Sequence, residues 1–372
     1  MRRCREAQLA QAAAHCRSSS RSQRSIETAA MAFKTLRRAL SRILLVTVGA
    51  CMGLWTCLRI GVQVLLKGKS ILTPKQRPEE PACLRDPALG THKFVTLEQA
   101  VTLHYVSAGS QENPLLLFLH GFPDTWYTWE KQIRHFQKDH WVVAVDMRGC
   151  GQSTKPQEVE DYLMSHLVED IKGLILSLGC KKATVVGHDL GGIVAWVLAT
   201  KHEDLVNRLV VINGPHPLAF RYQLENSFAQ MLKSWYMVTF QSPKLPEAIL
   251  KVNDFELIDK ALGPYETDIK EVVKHSISQP GALTAALNHY RALWRRDQRL
   301  QDLRFRYLNT PTLIVWGQRD RFLTLKLAQL SILQAFGRVE YLADAGHWVH
   351  REKAERVNDL IRQFFKNTED HL

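Results

Sequence analysis

Ala183-Thr184-Val185-Val186-Gly187-His188-Asp189-Leu190-Gly191-Gly192 reads as a short buried strand that ends in a sharp turn of small residues, and Ile193 to Thr200 then reads as the start of a helix. Strand, tight turn and helix together make a nucleophile elbow, which lifts the side chain at its centre above the edge of a sheet. The common residue there is serine, suited to acyl transfer at a carbonyl. This chain has Asp189. A carboxylate is poorly suited to that chemistry, but it can displace a group at a saturated carbon and form an ester that water later cleaves. The elbow therefore narrows the reaction to opening an epoxide or displacing halide, and it excludes a serine-type esterase.

Outward from the elbow, the pattern alternates strand and helix. Val101-Thr102-Leu103-His104-Tyr105-Val106 alternates like a strand with an exposed face. Residues 114–119 and 141–145 are continuous apolar runs, as expected of parallel strands covered on both sides. Further strands are expected at 183–186, 208–212, 311–316 and 338–342, with a last helix over 351–366. This implies a mostly parallel, doubly wound α/β sheet. About a hundred residues separate the strands at 208–212 and 311–316, too many for a loop. They are expected to form a helical lid over the strand ends, where such sheets bind ligands.

The N-terminal part differs in kind. Residues 1–78 hold 15 Lys and Arg against Glu6 and Glu27, whereas the rest carries 34 basic and 35 acidic residues. The net charge of +12 thus belongs to the leader, and a nucleic-acid partner for the folded part has no electrostatic support. Residues 1–42 read as a basic, disordered segment. Met31 offers a second start, and an Arg-rich leader also fits a transit peptide. Residues 43–58 carry no charge, and past Arg59 the apolar run continues to 66. That is long enough for a membrane-spanning signal anchor, with Arg59 snorkelling to the interface; a signal peptide and an amphipathic surface helix are the other readings. Charges flank both sides, so orientation is open. Residues 67–91 form a Pro-rich linker. The hydrolytic core is assigned to 92–215 and 305–372, and the lid to 216–304. Seven scattered cysteines have neither metal-ligand spacing nor the look of a disulfide framework.

From about residue 92 to its end the chain resembles the epoxide hydrolase family of α/β-hydrolases, nearest the membrane-anchored epoxide hydrolase 3 and 4 group. The resemblance rests on Pro81-Ala82-Cys83-Leu84, Leu89-Gly90-Thr91-His92, His120-Gly121-Phe122-Pro123, Asp146-Met147-Arg148-Gly149-Cys150-Gly151-Gln152-Ser153, the elbow, Asn288-His289-Tyr290-Arg291, Gly317-Gln318-Arg319-Asp320 and Gly346-His347-Trp348, in this order and spacing. It implies the α/β-hydrolase fold with an inserted lid and conversion of epoxides, lipid-derived ones included, to diols.

The resemblance also implies roles for particular residues. Asp189 would be the nucleophile, His347 the general base and Asp320 the acid that orients it, with Asp344 a solvated loop residue and His350 at the surface. The amides of Phe122 and Leu190 would make the oxyanion hole, with a cis peptide before Pro123. Tyr236 and Tyr290 would donate to the epoxide oxygen, their phenols protonated at neutral pH. Asp146 and Arg148 are expected to form an internal ionic contact. No metal or organic cofactor is required, and no obligate protein partner is indicated. An endoplasmic-reticulum, single-pass location follows from the anchor reading. A haloalkane or haloacid dehalogenase would share nucleophile, base and acid, but the two tyrosines and Leu190, where dehalogenases use an indole, count against it. A non-catalytic relative would be expected to have lost one of these groups.

Overall fold

Short apolar runs with no polar alternation suit strands covered on both faces, and the computed structural model places those at 115–119 and 141–145 in the middle of a sheet. It describes residues 35–37, 39–263, 267–301, 303 and 305–368. The disorder expected of residues 1–34 lies outside the described residues. After the long helix α1 (Thr35–Lys67), the chain forms β1 (Thr91–Thr96), β2 (Thr102–Ala108), β3 (Leu115–Leu119), α2 (Glu130–Phe136), β4 (Trp141–Val145), α3 (Met164–Ser177), β5 (Ala183–His188), α4 (Leu190–Lys201) and β6 (Val206–Ile212). Six helices then precede β7: α5 (Pro217–Asn226), α6 (Phe228–Lys233), α7 (Trp235–Thr239), α8 (Leu245–Leu262), α9 (Thr267–Ser278) and α10 (Ala282–Ala292). The chain closes with β7 (Leu308–Gly317), α11 (Leu325–Ile332), β8 (Ala335–Leu342), α12 (Val349–Glu352) and α13 (Ala354–Lys366).

The strands form one eight-stranded sheet in the order β1-β2-β4-β3-β5-β6-β7-β8. The β2 strand runs antiparallel to both β1 and β4, and all later pairings are parallel. This is the α/β-hydrolase architecture with an inserted helical region. Two apolar cores cover the two faces of the sheet, one centred on Phe118, Trp129 and Val315, the other on Leu117, Trp196 and Trp316.

Three sequence expectations change. First, β2 is buried along nearly its whole length, with Leu103 and His104 fully covered. The polar-looking position 104 is buried because its imidazole Nδ1 meets Asp146 Oδ2 at 2.7 Å; alternation here marks a satisfied buried polar group. Second, the Pro-rich 67–91 stretch is tied down. Arg77 makes two 2.7 Å hydrogen bonds to the Asp254 carboxylate, at a break in α8 where Asn253, Asp254 and Phe255 have φ between 50° and 65°. Third, Arg148 pairs with Asp170 through two 2.7 Å hydrogen bonds rather than with Asp146.

Candidate active site

The strand ends assemble the site. Asp189 follows β5 with φ 51° and ψ −119°, a backbone conformation that costs energy for a non-glycine residue and is stored where a turn must aim a side chain. Small neighbours make the turn possible. A Cβ on Gly121 would lie 2.5 Å from Asp189 Cβ, and one on Gly191 would lie 2.3 Å from the Leu119 carbonyl oxygen. Phe122 follows β3, Asp320 follows β7 and His347 follows β8.

These loops converge. His347 Nδ1 meets Asp320 Oδ2 at 2.7 Å, and its Nε2 lies 3.5 Å from Asp189 Oδ2. The Phe122 amide donates to Asp189 Oδ1 at 3.3 Å, and the peptide joining Phe122 to Pro123 is cis. Tyr236 of α7 and Tyr290 of α10 stand at the same cavity, their rings 5.8 Å apart and nearly perpendicular. Phe122 and Phe240 pack edge-on against Tyr290 at 5.3 Å and 5.2 Å. The cavity, about 530 Å³, opens between sheet and lid and is lined mainly by apolar side chains. Leu190 contributes its amide at the elbow, but its side chain lines a separate small recess with Met147, Cys150 and His289. Asp344 is exposed and pairs with Lys353 at 2.5 Å.

The charges follow from this geometry. Burial disfavours a charged His347 ring, but the carboxylates of Asp320 and Asp189 outweigh it and raise its pKa to about 10. Burial likewise pushes Asp189 and Asp320 up, and the His347 cation brings both below the ordinary carboxylate value. Burial, followed by nearby charge including that of Asp189, raises both phenols, so each stays protonated across the physiological range.

Some functional neighbours escaped the sequence reading. Asn213, after β6 at φ 41°, donates from Nδ2 to Asp320 Oδ2 at 2.5 Å and accepts from the Gly317 amide at 3.0 Å. Together with the Phe322 and Leu323 amides, which donate to Asp320 Oδ1, it leaves that carboxylate one orientation. The Asn213-Gly214-Pro215 turn at a strand end was the available signal. His350, expected at the surface, is fully buried because its Nε2 meets Thr128 Oγ1 at 2.9 Å beneath the site. With Asp124 and His188 it forms the one group of potential metal ligands found among the described residues, its ligand atoms within 4.8 Å of one another. His188 Nδ1 and Asp124 Oδ2 lie 3.8 Å apart, and all three residues are buried. Burial pushes the Asp124 carboxyl up to about 7, consistent with a proton held there.

Residues 114–354 match the family model described as alpha/beta hydrolase fold. Epoxide hydrolase 4 of Homo sapiens is 37% identical over 304 residues, covering 78% of this chain and 83% of the relative. Epoxide hydrolase 3 of Mus musculus is 35% identical over 356 residues, covering 91% and 95%. Among solved structures, an epoxide hydrolase of Bacillus megaterium in complex with an inhibitor superposes with a TM-score of 0.67 at 30% identity, covering 74% of this chain and all of that one.

Proposed function

This chain belongs to the epoxide hydrolase family of α/β-hydrolases, acting through an Asp–His–Asp triad, and from that premise we propose a role for each residue of its site. The observation that carries the reading is a carboxylate at an elbow facing two protonated phenols across an apolar cavity. Tyr236 and Tyr290 hold the epoxide oxygen. Asp189 attacks a ring carbon, the carbon–oxygen bond breaks, and a phenol gives its proton to the departing alkoxide. The product of this step is an ester of Asp189 beside a free hydroxyl.

Esterification removes the Asp189 charge, and with it one of the two carboxylates that hold a proton on His347. The ring gives that proton up to restore the phenol and, now neutral and still oriented by Asp320, takes a proton from water. Hydroxide adds to the ester carbonyl, and the amides of Phe122 and Leu190 receive the oxyanion, each such donor being worth about 3 kcal/mol. Collapse frees the diol and restores the carboxylate with one oxygen from water. The hydroxyl proton of the tetrahedral adduct goes to the departing alkoxide, and His347 ends the cycle protonated, as it began.

The apolar cavity suits a lipid-derived epoxide. The α1 helix, long and apolar enough by length and composition to cross a bilayer, supports attachment to a membrane, which we take to be that of the endoplasmic reticulum. Single turnover in heavy-oxygen water tests the chemistry. Mass spectrometry is expected to find one heavy oxygen in the Asp189 side chain, and His347→Gln to accumulate the ester. A diol labelled from water while Asp189 stays light would mean that water attacks the epoxide directly.

A further inference from the structure

One side of α1 is part of the active-site wall. Trp55, Arg59, Ile60 and Gln63 border the same cavity as Asp189, Tyr236, Tyr290 and His347. Close backbone approach holds the helix there. Gly49 and Gly53 face Val238 and Thr239 of α7, and a Cβ on Gly49 would lie 2.4 Å from Val238 Cβ. Farther along, Asn253 Nδ2 donates to Gln63 Oε1 at 2.9 Å. Val238 and Thr239 follow Tyr236 by two and three positions, so α1 packs on the turn that carries one of the two phenols.

Within this apolar helix, Arg59 is the only charged residue between Arg42 and Lys67. A guanidinium in such a segment is costly unless it faces a polar cavity or a partner, and its presence marks a substrate route more often than a structural need. Its surroundings sharpen the point. Of the cations on the cavity wall, Lys260 is bound to Glu256 at 2.5 Å, Lys233 donates to the Asp320 carbonyl, and Arg321 donates to the carbonyls of Lys260 and Ala261. Arg59 is exposed on the cavity wall, with no ion-pair or hydrogen-bond partner for its guanidinium among the described residues.

We propose that Arg59 binds the carboxylate of a single-chain, anionic epoxide, whose tail lies along the wall formed by α1 and the lid while the ring sits beneath Tyr236 and Tyr290. This rests on the epoxide-hydrolase reading and names the feature that selects the substrate. A guanidinium fork matches a carboxylate through two parallel hydrogen bonds. The cavity volume of about 530 Å³ is that of a site for one small ligand, not a two-chain lipid. The helix thereby acts as a specificity element as well as an attachment.

The test compares the full-length protein and its Arg59→Ala and Arg59→Lys variants in detergent micelles. The substrate is one long-chain fatty-acid epoxide, supplied as free acid and as methyl ester. Arg59→Ala is expected to raise KM for the acid about tenfold or more, the usual scale for losing a hydrogen bond to a charged group. Its kcat, and both constants for the ester, should stay near wild type, and Arg59→Lys should recover part of the loss. Ester turnover also reports that the variant is folded. Equal changes for acid and ester, or no change for either, overturn the head-group assignment and leave the hydrolase reading standing. A wild-type protein that turns over neither compound removes both.

Discussion

His347 is held by two carboxylates in the resting protein, with Asp320 at 2.7 Å on one nitrogen and Asp189 at 3.5 Å on the other. A histidine in the unfolded chain titrates near 6.5, whereas this one titrates at about 10. Folding therefore strengthens its hold on a proton. The resulting stability is fully present below pH 6.5 and shrinks as pH rises, until it is lost above about 10. Urea unfolding of wild type and His347→Gln should show a stability gap that is widest near about pH 6 and narrows steadily toward pH 10. A gap that stays constant across that range would mean that the folded ring is neutral. The candidate site residues that the structure brings together were legible because each ends a recognisable strand or sits in a motif. Asn213 and His350 were not, because their importance comes from partners far away in sequence: Asp320 for the one, Thr128 for the other.

At the scale of elements, the elbow works only if β5 and α4 can approach the neighbouring strand without side chains between them. Gly191 stands where a methyl would meet the Leu119 and His120 carbonyl oxygens at 2.3 Å and 2.6 Å, both of them backbone atoms at the end of β3 that cannot swing aside. Gly192 is more forgiving, its nearest neighbours being Gly214 Cα at 3.0 Å and Val211 Cγ1 at 3.1 Å. Gly191→Ala should therefore cost about 1–3 kcal/mol of stability and displace the Leu190 amide, while Gly192→Ala should cost less. Thermal unfolding alongside turnover would show the ranking, and equal behaviour of the two variants would refute it. The same comparison explains what sequence pattern conveys about elements. The runs at 141–145 and 183–186 announced themselves, since continuous apolarity has one interpretation in a sheet. The burial of β2 and the docking of 67–91 on α8 did not, because each depends on one long-range polar contact: His104 with Asp146, and Arg77 with Asp254.

For the whole molecule, the two sides of α1 have different neighbours. Gly49, Gly53 and Gln63 turn toward the lid, whereas Leu54, Leu58, Val62 and Leu65 fall on one stripe at helical spacing and remain exposed, Leu65 by 86%. A continuous apolar stripe of this length on a folded protein marks an interaction surface. Phe228 and Leu232 of α6 are also exposed, and Leu232 borders the cavity. With Arg37 and Arg42 at the start of α1, the combination suits an anionic lipid surface. Burying each large aliphatic side chain is worth roughly 1.5–3 kcal/mol, so three of them dominate any charge contribution. The variant carrying Leu54→Gln, Leu58→Gln and Val62→Gln should pass from the alkali-resistant membrane pellet to the soluble fraction. None of those three residues borders the cavity, so hydrolysis of a small water-soluble epoxide should continue at close to the wild-type rate. If the triple variant stays in the pellet after alkaline carbonate, the outward stripe of α1 is not what holds the protein to the membrane. If it leaves the pellet but loses turnover, the stripe and the cavity wall are coupled through the packing of Gly49 and Gly53 on α7.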